Sequence, residues 1–98
     1  MSAHPNALGI PPDAHENAAA AEILRAWSVN GGLHVSLKPS FENPAIWGLL
    51  LVDLARHAAR AYAVEGRQSE ASVLRDIRRT LDAEWQHSTD AGTTSAVQ

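Results

Sequence analysis

Asn30-Gly31-Gly32 separates two runs in which apolar and polar residues alternate, "EILRAWSV" and "LHVSLK". Alternation with period two marks a strand with one face buried, and Asn-Gly is a strong hairpin signal because both residues tolerate positive φ. Two registers compete. A two-residue type I′ loop, Asn30-Gly31, pairs Trp27 with His34 and Ala26 with Val35. A three-residue loop with Gly32 left-handed in a bulge pairs Val29 with Leu33 and Trp27 with Val35. A slip of one residue exchanges the face of every side chain. The three-residue loop gathers Ile23, Trp27, Val29, Leu33, Val35 and Leu37 on one face, with Arg25 the exception, so it is the register expected. It turns His34 away from Trp27. A rival reading makes "PDAHENAAAAEILRAW" one helix, opened by an Asp13–Glu16 capping box. That leaves "GLHVSLKP" as a strand without a partner for its backbone groups. A hairpin from about residue 22 is therefore preferred, and a short helix over 13–20 is left open.

"NPAIWGLLLVDLARHAARAYAVEG" follows. Asn43 suits an N-cap and Pro44 the first helical position, where the missing N–H costs nothing. Gly66 supplies the stop. The polar residues Asp53, Arg56, His57 and Arg60 fall at i, i+3, i+4 and i+7, one narrow stripe on an otherwise apolar helix. So wide an apolar surface must be covered from more than one side. The segment from Ser69, with Glu70 at the positive end of the helix, carries a one-sided stripe of Val73, Leu74, Ile77, Leu81 and Trp85. The short Glu65–Gln68 link favours an antiparallel pair.

The expected fold is α+β: an N-terminal β-hairpin followed by two antiparallel α-helices (ββαα). Strands are expected at about 22–29 and 33–38, and helices at about 44–64 and 69–87, in one domain over 21–88. Residues 1–20 and 89–98, rich in Ala, Ser, Thr, Pro and Gly, read as a weakly ordered segment and a disordered tail. Trp27, Trp47 and Trp85 fall one to each main element, and with Val35, Tyr62 and Phe41 they are expected to meet in one core. So small a domain is marginal alone. A lone hairpin has two open edges, and the first long helix has more apolar surface than this chain can cover. Pairing of two copies about a two-fold axis, extending the sheet or packing the first long helices together, relieves both deficits.

Eight Lys plus Arg against eleven Asp plus Glu make the 98-residue chain mildly acidic. Over Asp53–Glu84, six arginines are matched by six carboxylates, a mixed surface instead of the basic stripe that nucleic acid requires, apart from a local patch at Arg75, Arg78 and Arg79. The absence of cysteine excludes disulfides, zinc–thiolate sites and thiol catalysis. No apolar run approaches the length needed to cross a bilayer, and no secretory leader is legible, so a cytoplasmic location is expected.

Catalytic signals are sparse. Asp53 and His57, one turn apart, could orient an imidazole or supply two metal ligands, but no motif supplies a third. Arg56 and Arg60, with Lys38 or Arg25, could hold an anion through their planar forks. A solvated helix face accounts for the same four residues. His34 reads as an exposed strand histidine, and His4, His15 and His87 lie in or near the chain ends. No phosphate loop or nucleophile elbow is present. No metal site, catalytic residue or cofactor is expected.

The stretches "ILRAW", "NGGLHVSL" and "NPAIWGLLLVDLARHAARAYA" resemble a family of small bacterial domains of unknown function, over about two-thirds of the chain. The resemblance implies a compact bacterial module and transfers no functional residue. The expectation is a non-enzymatic, homodimeric protein-interaction module. The competing expectation is a small-molecule or anion-binding domain using Asp53, Arg56, His57 and Arg60.

Overall fold

The computed structural model describes residues 4–87 and 92–96. Their order is α1 (Pro12–His15), β1 (Leu24–Val29), β2 (Gly32–Leu37), α2 (Ile46–Val64), α3 (Glu70–Gln86) and β3 (Thr93–Ala96). The fold is α+β, a hairpin-based sheet followed by two long helices.

The hairpin takes the register that face segregation disfavoured. Trp27 lies opposite His34, Ala26 opposite Val35, and Val29 opposite Gly32. Asn30 and Gly31 have φ of 52° and 81°, the two positive values of a type I′ turn, whose twist matches that of the flanking strands. Local turn chemistry won because the penalty assumed for exposing Trp27 beside His34 does not arise: the N-terminal segment covers Trp27. Leu24, Ala26, Leu33, Val35 and Leu37 form the apolar face of the sheet; Arg25, Trp27, His34 and Ser36 lie on the other.

A third strand corrects the expectation of a disordered tail from residue 89. Thr93–Ala96 runs parallel to β2, with His34 opposite Thr93 and Leu37 opposite Ala96. The sheet order is β1-β2-β3, so β1 keeps an open edge. Residues 89–91 and 97–98 of that tail, and 1–3 at the other end, lie outside the described residues. The described part of the N-terminal segment holds a few local hydrogen bonds and one helical turn. The His4 carbonyl accepts from the Ala7 N–H at 3.0 Å, and the one-turn α1 starts on Pro12 without side-chain capping, so no Asp13–Glu16 box forms.

Asn43 caps a tight turn ahead of α2. Its Oδ1 accepts from the Ala45 N–H at 3.0 Å and its carbonyl accepts from Ile46 at 3.1 Å, so the α-helix begins at Ile46. Gly66, at φ 72°, ends α2 in a Schellman arrangement: Arg67 N–H donates to Tyr62 O (3.2 Å) and Gly66 N–H to Ala63 O (3.0 Å). Ser69 caps α3, its hydroxyl accepting from the Ser72 N–H at 3.2 Å.

The helices pack on each other, and Ala59 on α2 and Val73 on α3, the two buried residues among those described, mark where they meet. Among the described residues, no strand comes within 8 Å of either long helix between Cα atoms. This overturns the single aromatic core. Trp27 packs on His4, Trp47 lies edge-on to Phe41 at 5.4 Å, Tyr62 lies under the Arg67 guanidinium at 5.5 Å, and Trp85 is 77% exposed. Val35 is half-buried in the sheet. The radius of gyration is 15.3 Å, against about 13 Å for a compact chain of this length.

Candidate functional site

Trp27 and His34 are directly opposed on adjacent strands, so their side chains rise from the same sheet face within reach of each other. The N-terminal segment brings a third ring. The His4 imidazole sits edge-on to Trp27, centroids 4.9 Å apart and planes at 66°. His4 Nδ1 accepts from the Asn6 N–H at 3.0 Å, which fixes the ring from behind. Trp27 and His34 are half-buried, whereas His4 is exposed. The Trp27–His34 half of this cluster belongs to the two-residue-loop register, which Asn30-Gly31 signalled and face segregation disfavoured, whereas nothing in the sequence pattern signalled His4.

The same segment borders an open groove of about 710 Å³ along β1, lined by Leu8, Ile10, His15, Ile23 and Trp27 among others. Arg25 reaches its rim, but Glu22 holds the guanidinium in a two-point pair at 3.0 and 3.1 Å. Leu24 and Ala26 also line it. Ile23 O accepts from Lys38 N–H at 3.0 Å, which places the hydrogen-bonded pairs at the odd-numbered positions of β1. The backbone groups of Leu24, Ala26 and Ser28 therefore point out of the sheet along its open edge.

The polar stripe anticipated on α2 is there, exposed, and borders neither this groove nor the shallower one on α3. Arg60 donates to His57 Nδ1 at 3.2 Å. The imidazole is thus oriented by Arg60, while Asp53 and Arg56 carry no hydrogen bond or ion pair among the described residues. No group of three metal-ligating side chains occurs among the described residues.

Leu74, Arg75, Arg78 and Arg79 line the α3 groove, of about 500 Å³. Arg78 is paired with Asp82 at 3.0 Å and Arg79 with Asp76, so two of the three arginines already have counter-charges. The Gln68 amide donates to Asp76 at 2.9 Å and to Ser72 Oγ at 2.7 Å. That hydrogen bond, with the Arg79 and Arg75 charges beside it, holds the Asp76 carboxyl below its ordinary 3.8. Among the described residues, no helix is long and apolar enough to cross a membrane.

Comparison with known proteins supplies a family without an activity. The model of a domain of unknown function, DUF5076, matches residues 7–89. A solved structure described as that of a "putative pyruvate dehydrogenase" from the photosynthetic bacterium Rhodopseudomonas palustrus is 42% identical. The likeness covers 99% of this chain and 100% of that one, at a TM-score of 0.75. No curated protein matches the chain.

Proposed function

This chain belongs to the DUF5076 family of domains of unknown function, and we propose that it is a non-enzymatic, homodimeric protein-interaction module of the bacterial cytoplasm. One observation carries the reading. The accessible surface is 8397 Å², whereas a folded monomer of 10.5 kDa exposes about 5,400 Å². Part of the excess belongs to the extended N-terminal segment, where Leu8 is 93% exposed. Exposed apolar side chains on α2, α3 and the sheet contribute to the rest, Leu33, Leu49, Leu51, Val52 and Trp85 among them. Obligate homodimers bury about 2,000–5,000 Å² in total, and two copies of this chain have that much to cover.

A chemical role finds less support. The stripe of Asp53, Arg56, His57 and Arg60 borders neither of the two grooves, and the Arg25 guanidinium beside the larger one is already matched by Glu22. The Rhodopseudomonas structure is described as a pyruvate dehydrogenase, but both grooves of this chain are open and the Arg25, Arg78 and Arg79 guanidinium groups at them are already paired with carboxylates.

Sedimentation velocity at low micromolar concentration tests the proposal. The expected species has twice the chain mass of 10.5 kDa. A monomer alone at that concentration would sink it.

A further inference from the structure

Resting on the dimer reading, we infer that the occupant of the half-covered apolar sheet face, where Leu33 is exposed and Leu24, Val35 and Leu37 are half-buried, is α2 of a second copy, exchanged reciprocally. Each chain carries two apolar surfaces that do not touch each other. One is the sheet face built on Leu24, Leu33, Val35 and Leu37. The other is a seam on α2, Trp47, Leu51, Leu54, Ala58 and Ala61, at alternating spacings of four and three. That spacing keeps all five within about 80° of one another around a straight helix. The seam lies to one side of Ala59, which faces α3, and on its other flank His57 borders Ala61, with Asp53, Arg56 and Arg60 farther round the helix. Leu33, Leu51 and Leu54 are 55%, 48% and 45% exposed.

A sheet with one apolar face is stable only when a helix layer or another sheet covers that face. Here the covering layer exists in the chain but is held off. The elbow over residues 38–45 contains Pro39 and Pro44, and the Phe41–Trp47 ring contact braces it where it enters α2. A stiff connection of this kind between two complementary surfaces favours closure onto a neighbouring copy over closure onto the same chain. A two-fold axis then lets each α2 seam cover the other chain's sheet face, so both surfaces are satisfied twice.

The chain contains no cysteine, which makes cross-linking unambiguous. Leu33→Cys and Leu54→Cys variants, one of them isotope-labelled, are mixed, unfolded, refolded together and treated with a short bismaleimide. Both positions are about half exposed, so neither substitution empties a packed site. The expected result is a mixed-mass cross-linked dimer, several-fold more abundant than either self-linked product. Linking confined to Leu54→Cys pairs, which indicates α2 on α2, overturns the inference and leaves the dimer standing. So does linking confined to Leu33→Cys pairs, which indicates sheet on sheet. A monomer in sedimentation removes both.

Discussion

Trp27 and His34 stand directly across the hairpin from each other, and the His4 ring closes on Trp27 from the N-terminal side. One aromatic residue therefore connects the turn register to the path of the first dozen residues. Trp27→Ala should cost about 2 kcal/mol, less than the 3–5 kcal/mol typical of a fully buried ring because Trp27 is only half-buried. Chemical denaturation measures it. His4→Ala should remove a smaller amount, about 0.5–1 kcal/mol. Its expected signature is faster hydrogen exchange confined to residues 4–11, and unchanged exchange there would show that the ring contact does not hold the segment.

Gly31 sits at φ 81° in the turn, with open space where a Cβ would go. Gly31→Ala is thus a backbone test without a steric one. It should lose about 1–2 kcal/mol from the cost of a left-handed non-glycine residue. A thermal midpoint lower by several degrees is the expected readout. An unchanged midpoint would mean that the turn is not type I′.

At Gly92 the constraint is double. Its φ is +68°, and a Cβ there would lie 2.7 Å from the backbone oxygen of Leu33. Gly92→Ala should release β3 from β2 while leaving the helix pair intact. Exchange protection should fall along Gly32–Leu37 and stay constant in α2 and α3. Equal loss everywhere would indicate that β3 is integral to global stability instead of an added strand.

The pH dependence follows from Asp76. Its folded-state pKa is lowered, so its contribution to stability is present above about 3.8 and is lost as pH falls through the lower folded value. Gln68→Ala removes the largest cause and should move the Asp76 titration, followed by carboxyl NMR, back toward 3.8. Stability of the variant should then fall off less steeply on the acid side. An unmoved titration would assign the shift to Arg79 and Arg75.

Much of the architecture was legible from residue patterns. Asn30-Gly31, the Gly66 stop and the Ser69 cap each specify backbone geometry locally, through positive φ or one side-chain hydrogen bond, so the hairpin and both long helices could be read without knowing their neighbours. The polar stripe from Asp53 to Arg60 was equally visible, since helical periodicity alone sets its spacing. The sequence also carried its own surplus: an α2 with apolar residues on nearly every face cannot be covered by one α3.

Tertiary structure decided what those patterns could not. Whether Trp27 may sit beside His34 depends on His4, some twenty residues away, because burial is a sum over neighbours and not a property of the strand. That Thr93–Ala96 forms a strand follows from the open edge of β2, since a sequence as polar as "TTSA" has little drive of its own and gains order from the ladder it joins. And the separation of sheet from helices rests on the elbow between Lys38 and Ala45, where proline placement and one ring contact aim α2 away from the face it was expected to cover.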